Sequence, residues 1–342
     1  MSRVLLLFGG RSAEHEVSCV SAVAIHDALI EGGHSVILVG IGRDGRWYVV
    51  DAAQRPFHAT GRPASLRVPD GTLVVARDEV DFDVVDFDVV FPVLHGPFGE
   101  DGTIQGMFEI AGKPYVGSGV LGSAIAMDKD VAKRLLEAAG LPTPRWEVVR
   151  RVDFADDPAG TVERIGRSLG KTVFVKPVAL GSSVGVAKAR TPAEIKDAID
   201  EALRHGDRVI VDEFIDGREI EVAILEGPRA ALPGEVHSAN EWYDYDAKYN
   251  DEDSIFEVPA RLSQQRTAEV QALAAKAFTA VECRGLARVD FFFEDGGRGF
   301  LVNEVNTMPG FTPISGFPKM WMASGMTYAE LCNELVALAL RD

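Results

Sequence analysis

Ala287-Arg288-Val289-Asp290-Phe291-Phe292-Phe293, Asp295-Gly296-Gly297-Arg298-Gly299 and Phe300-Leu301-Val302-Asn303-Glu304-Val305-Asn306 read as a strand, a glycine-rich turn and a return strand. Centring the turn on Gly297 sets Asp290 opposite Glu304 and Arg288 opposite Asn306. Period-two alternation then gathers Arg288, Asp290, Glu304 and Asn306 on one face, with Val289, Phe291 and Val305 on the other. Two carboxylates and an amide oxygen at cross-strand distance repel one another unless a cation joins them. A hard, oxygen-liganded ion such as Mg²⁺, which shares its sphere with water and substrate phosphates, suits that donor set. The bland alternative is a solvent-facing polar side balanced by Arg288. The apolar flanks favour a central hairpin, where a bare carboxylate pair would be costly.

Working outward, Glu219–Leu225 reads as a strand, Gln264–Glu282 as a helix and Tyr328–Leu340 as a closing helix. Between them, residues 237–262 lack a regular pattern, and a stretch that long in a compact domain suits a lid. Its aromatics (Trp242, Tyr243, Tyr245, Tyr249, Phe256) would let it dock and exclude water. Upstream, strands at Trp146–Val149, Val173–Lys176, Val186–Ala189 and Val209–Ile215 alternate with helical patterns, as in a small α+β domain. A helix from about Gly122 to Ala139 precedes them, with Lys129 midway along it. At the N-terminus, Val4–Phe8, Gly9-Gly10, a helical stretch and Ser35–Val39 spell a βαβ unit and a parallel sheet. Residues 52–80 read as irregular, and Val84–Leu94 as one strand ending in the His95–Gly102 loop. The expected division is an N-terminal parallel α/β domain (1–120), a central small domain (121–208) and a C-terminal domain with the metal site and lid (209–342).

The 342 residues carry 35 Lys plus Arg against 52 Asp plus Glu, a formal charge of −17. That balance argues against nucleic acid as a partner, because such binding rests on cations neutralising phosphates. No apolar run reaches membrane-spanning length, and the Val4–Phe8 core is too short for a signal peptide. Cys19, Cys283 and Cys332 lie far apart without metal-ligand spacing, as reduced thiols of a cytoplasmic protein would.

Gly181-Ser182-Ser183-Val184-Gly185 fits two templates. As GxSxG it could be a hydrolase nucleophile elbow at Ser183, which needs a strand before it and a helix after it. As a small-residue flap between two strands, its amides could reach phosphoryl oxygens, with Lys176 close by. Val211-Asp212-Glu213-Phe214-Ile215 ends an apolar strand in acids and an aromatic, the make-up of a hinge on which adenine packs. Glu219 could meet ribose hydroxyls, and the alternative is a strand edge with exposed acids.

Taken together, these stretches resemble the D-alanine–D-alanine ligases of the ATP-grasp superfamily. The carriers are Gly9–Ser18, His95–Gly102, Gly117-Ser118-Gly119, Met127-Asp128-Lys129, Val175-Lys176-Pro177 with 181–185, Tyr243–Tyr249 and Asn303–Phe311. The resemblance spans essentially the whole chain. It implies a three-domain ATP-grasp architecture, α/β and α+β, whose N-terminal parallel-sheet domain precedes the grasp. It also implies ligation of two D-alanines for peptidoglycan through an acyl phosphate, with ATP, two Mg²⁺ (Mn²⁺ as substitute), and commonly a homodimer. Residue by residue, Lys129 and Lys176 would hold nucleotide phosphates beneath the amides of Ser182 and Ser183. Asp212 would take the adenine position beside Glu213, Phe214 and Ile215, and Glu219 the ribose. Asp290, Glu304 and Asn306 would ligate the metals. Glu14 would bind the first ammonium, linked through Ser182 and Tyr249 to the lid, with His95 near that substrate and Lys248 on the γ-phosphate. Arg288 and the Gly310 amide would stabilise the oxyanion, and Ser315, beside Gly316, would receive the second carboxylate.

The chain departs from the family pattern in three places. Asp212 replaces the usual glutamate, Pro313 interrupts a Thr-Ser-x-Ser stretch, and Gly316 replaces a larger residue. The last leaves room for a larger second amino acid. The rival readings are a related ligase with a different second substrate, a serine hydrolase using Ser183, and a nucleotide-binding protein without ligase activity.

Overall fold

The computed structural model describes residues 1–78, 81–181, 185–237 and 255–341. The apolar run after Arg3 forms the strand Arg3–Gly9, buried from Val4 onward and flanked by the parallel strands Ser35–Ile41 and Val89–Val93. A strand covered on both sides reads as a continuous hydrophobic run, as this one does. Beyond Ser35–Ile41 the sheet continues antiparallel through Trp47–Val49, Arg62–Arg67, Thr72–Ala76 and Phe82–Val85. Residues 52–80 are therefore not all irregular. Arg62–Arg67 is mostly exposed and polar, so it carries little of the burial signal that marks a strand.

The apolar run Val84–Leu94 is likewise not one strand. Only Asp86, Phe87 and Asp88 separate Phe82–Val85 from Val89–Val93, yet these strands form opposite edges of the seven-stranded sheet. Four Cα steps span at most about 15 Å, whereas seven flat strands span about 29 Å. The sheet must therefore coil until its edges nearly meet, and Leu73, Val75, Phe87 and Val90 fill the inside of that coil.

The helix expected over 122–139 is two helices, Val120–Met127 and Lys129–Ala138, broken at Asp128. Asp128 leaves the helical region and its carboxylate accepts the Val131 N–H, the geometry of an N-cap. The break makes Lys129 the first residue of the second helix instead of a mid-helix lysine. Next comes a four-stranded antiparallel sheet in the order Ala187–Ala189, Val173–Pro177, Arg208–Glu213, Trp146–Arg150, backed by the helices Pro158–Leu169 and Pro192–Ala202. The 181–185 loop thus joins two antiparallel strands, with no helix following it, contrary to a nucleophile elbow.

The third sheet runs Ile255–Glu257, Gly234–His237, Arg218–Leu225, Leu286–Glu294, Gly299–Asn306, with Arg229–Ala230 pairing off its path. The helix Gln264–Ala280 packs on one face. The helices Gly316–Ala323 and Tyr328–Ala339 share a second core with the N-terminal sheet and the helix His15–Glu31. In the hairpin, Asp290 does face Glu304 and Arg288 does face Asn306. The turn, however, pairs Glu294 with Gly299, and the register shifts by one between Asp290 and Phe291, where Asn303 is left over. This bulge restores the pairing that a turn centred on Gly297 would have given throughout. Cys19, Cys283 and Cys332 are buried and unpaired, and no described helix is long and apolar enough to cross a membrane.

Candidate active site

A cavity of about 740 Å³ opens where the three sheets meet, lined by the hairpin, the strand Arg218–Leu225, the lysines of the central region and the loops 95–100 and 308–316. The strand register puts Glu221 opposite Asp290 and Asp290 opposite Glu304, so three acids stand in one row across three strands. Like charges placed directly opposite destabilise a sheet, and basic groups answer them here. The Arg288 guanidinium forks onto Asp290 (Nε–Oδ1 2.6 Å, Nη2–Oδ2 2.7 Å) and reaches Glu221 at 3.2 Å. Burial works against its charge, but Asp290 and Glu221 hold it protonated, well above the usual guanidinium range. Lys129 Nζ lies 3.5 Å from Glu304 Oε2 and donates to the Leu180 carbonyl at 2.8 Å. Asn306 Nδ2 donates to Asp290 Oδ2 at 2.9 Å, which turns its carbonyl oxygen the other way.

Sequence reasoning passed over Glu221. The same period-two alternation that picked out Glu219 places Glu221 two residues on, on the same face, and both line the cavity.

On the nucleotide side, Lys176, Phe174, Phe214, Ile215 and Glu219 line the cavity. The Phe174 and Phe214 rings lie 6.2 Å apart, with the Lys188 ammonium 4.2 Å from the Phe214 ring centre. Two residues expected here do not reach it. Asp212 is buried behind the wall, its carboxylate taken by Lys133 at 2.5 Å and Lys176 at 2.9 Å. Glu213 points to the other side of its strand, onto Arg145 (2.9 Å) and the hairpin-turn residue Arg298 (2.6 Å). Alternation along the strand decides both outcomes, since neighbouring side chains take opposite faces and the buried cations claim each carboxylate.

From the N-terminal region, Glu14 and His95 line the cavity. Glu14 stands at the N-cap of His15–Glu31 without capping it through its side chain. The loop before it turns at Gly9 with φ +89°, where a Cβ would sit 2.4 Å from the Ile41 carbonyl. His95 Nδ1 lies 3.0 Å from the Met308 carbonyl, so Nδ1 carries a proton and Nε2, buried with no partner, faces the site as the acceptor of a neutral ring.

Glu100 also went unassigned in the sequence. It accepts the Gly96 N–H at 2.7 Å and the Met308 N–H at 3.2 Å, yet burial, and then the Glu14 carboxylate, push its pKa up to about 8. An acid whose folded pKa is raised keeps its proton in the folded state. Its contribution to stability is full in acid and is lost as pH rises from about 4.5 to about 8. We expect a protonated-carboxyl infrared band that persists at neutral pH, fades near pH 8 and is missing in Glu100→Ala. A band already gone in mild acid would refute the assignment.

Arg288, Asp290, Glu304, Asn306, Gly310, Ser315 and Gly316 complete the lining. Ser315 Oγ accepts the Thr312 N–H at 3.1 Å and lies 2.8 Å from Thr312 Oγ1, at the N-cap of the helix Gly316–Ala323. The room expected at Gly316 is not there. A Cβ on Gly316 would meet Glu221 Oε2 at 2.8 Å and the Phe256 ring at 2.9 Å, and one on Gly234 would meet the same ring at 2.2 Å. Phe256 is slotted between two glycines and takes up the volume that a larger residue at 316 would fill. Ser182, Ser183, Lys248 and Tyr249, and the 238–254 part of the lid, lie outside the described residues.

Asp290, Glu304 and Asn306 form an all-oxygen set on one strand pair. Their charge is only partly offset by Arg288 and Lys129, and they fit a hard divalent cation. Among the described residues, Glu235, His237 and Glu257 also lie close together, but Arg218 and Arg261 hold those carboxylates.

Comparison with known proteins gives a single answer. Residues 3–118 match the family described as D-ala D-ala ligase N-terminus, and residues 135–337 the one described as D-ala D-ala ligase C-terminus. A D-alanine–D-alanine ligase of Streptomyces griseus is 42% identical, over 99% of this chain and 92% of its own. A D-alanine–D-alanine ligase A of Bradyrhizobium diazoefficiens is 45% identical, over 99% and 95%. Among solved structures, the D-alanine–D-alanine ligase from Coxiella burnetii superposes with a TM-score of 0.86 at 36% identity, over 100% of this chain and 96% of that one. The VanG D-Ala:D-Ser ligase of Enterococcus faecalis superposes with the same TM-score at 33% identity, over 98% and 99%.

Proposed function

The chain belongs to the D-alanine–D-alanine ligase family, and we propose that it uses ATP to join two molecules of D-alanine through an acyl phosphate, supplying peptidoglycan precursors. The observation that carries the reading is the acid row Glu221–Asp290–Glu304 bordered by Arg288, Lys129 and Lys176 in one cleft. Oxygen donors for a cation and ammonium groups for phosphates meet there.

In this reading adenine packs between Phe174, Phe214 and Ile215, Glu219 accepts from the ribose, and Lys129 and Lys176 hold the phosphates. Asp290, Glu304 and Asn306 hold two Mg²⁺ ions, which when bound neutralise the phosphoryl group in transfer. Glu14 binds the ammonium of the first D-alanine, with His95 beside it. Ser315 and the N-terminus of the helix Gly316–Ala323 take the carboxylate of the second. The second amine attacks the acyl phosphate, and phosphate leaves from a tetrahedral intermediate whose oxyanion is held by Arg288 and the Gly310 amide. Ser182 and Ser183 cap the phosphates, while Lys248 and Tyr249 close over them and exclude water from the acyl phosphate. The three-domain division at 1–120, 121–208 and 209–342, a homodimer and a cytoplasmic location belong to the same proposal.

The test is ADP release with a panel of D- and L-amino acids and Mg²⁺, with product masses recorded. D-alanine should give ADP, phosphate and the dipeptide. No ADP on adding D-alanine would leave a nucleotide-binding protein, and another product mass a related ligase. Specificity can be probed at Phe256. Phe256→Ala empties the slot beside Gly316, and one methylene of pocket is worth roughly tenfold or more in discrimination. The kcat/KM ratio of D-2-aminobutyrate to D-alanine in the second position should rise by about that factor. An unchanged ratio would remove Phe256 from the specificity pocket.

A further inference from the structure

The helix Lys129–Ala138 presents a second lysine one turn after Lys129. Lys133 does not line the cavity, and its side chain is only 2% exposed. Its ammonium lies 2.5 Å from Asp212 Oδ1 and 5.4 Å from the Trp146 ring centre, while the other Asp212 oxygen holds Lys176, which does line the cavity. A buried carboxylate is thus shared between two ammoniums, one behind the wall and one on it. Stability alone gives no reason for this arrangement, because burying an extra charge costs more than filling the same volume with apolar atoms. Counting charges does give one. Asp212 with Lys176 alone would be a closed, neutral pair, whereas Lys133 leaves the trio with one positive charge in excess, facing the cavity.

We propose that Lys133 is a positioning residue for nucleotide binding: by taking half of Asp212, it keeps the Lys176 ammonium available to the phosphates of the bound nucleotide. The inference rests on the ligase reading for the identity of that anion and goes beyond it in assigning a role to a residue that touches no substrate. It also accounts for the aspartate at 212. One methylene shorter than glutamate, it stays behind the wall between the two lysines and does not enter the cavity.

The experiment is calorimetric binding of Mg-ADP and, separately, of D-alanine to the full chain. Lys133→Met should weaken Mg-ADP about tenfold or more, the size of a lost charge-assisted hydrogen bond, and leave D-alanine binding unchanged. The double variant Lys133→Met/Asp212→Asn, with nothing left to neutralise Lys176, should return Mg-ADP affinity to near the parent value. A merely structural lysine would weaken both ligands and would not be rescued by a second change. If Lys133→Met does not fold, Asp212→Asn alone carries the test and should bind Mg-ADP as the parent does, since no carboxylate then competes for Lys176. Undiminished Mg-ADP binding in Lys133→Met, no rescue in the double variant, or a tenfold loss in Asp212→Asn would each overturn the inference while the parent still binds. A parent chain that does not bind Mg-ADP would overturn the ligase reading and this inference together.

Discussion

Glu304→Gln and Asp290→Asn should each cut ligase turnover by about a hundredfold or more, the scale on which one electrostatic stabiliser of a transition state acts, without unfolding the protein. The reason lies in the acid row. Glu221, Asp290 and Glu304 face one another across three strands, with Arg288 forked onto the middle carboxylate and Lys129 3.5 Å from the last. Neutralising Glu304 relieves a like-charge contact, so without divalent ions the Glu304→Gln protein should melt no lower than the parent. The stabilisation that Mg²⁺ with ADP confers on the parent should shrink in both variants, because a ligand stabilises only as far as it binds the folded state. Paired melting curves with and without Mg-ADP, alongside ADP release, check this. Parent-like turnover in either variant would contradict the metal assignment. A lower melting point with turnover intact would make the row structural.

Arg288→Met should be the most damaging single change, and it should damage both stability and activity. Arg288 is 15% exposed among Asp290 at 14% and Glu221 at 11%. Removing one partner of a buried ion network leaves uncompensated charge, at a cost of about 3–5 kcal/mol. Turnover should fall by about two to three orders of magnitude as an oxyanion donor is lost. The deficit has a sign in pH. Carboxylates stranded without the guanidinium bind protons more readily folded than unfolded, so the variant regains stability as pH falls through the carboxylate range and is worst near neutrality. Arg288→Lys keeps the charge but not the fork, and should recover part of the stability with little of the turnover. Chemical denaturation across pH, read against turnover, checks both claims. An Arg288→Met protein as stable as the parent would show that the acids find other partners.

Strand identity and face could be read along the chain wherever a period of two was strong. It put Arg288, Asp290, Glu304 and Asn306 on one side of the hairpin, where the structure has them as well, although through a bulge at Asn303 that no pattern announces. It failed where burial was weak, as at Arg62–Arg67, and where a short polar break hid in an apolar run, as at Asp86–Asp88.

What the sequence determined by itself was the family, the sheets and the chemistry-bearing residues, because local alternation and short ordered motifs are carried by neighbours in the chain. What only the tertiary structure decided was which of those groups meet. Lys133 finds Asp212 across 79 residues, Arg298 claims Glu213 across 85, and Phe256 fills the slot at Gly316 from another strand. A carboxylate's role depends on the cation that packing brings within about 3 Å of it. That distance is set by how separate sheets dock, and no periodicity within one sheet encodes it.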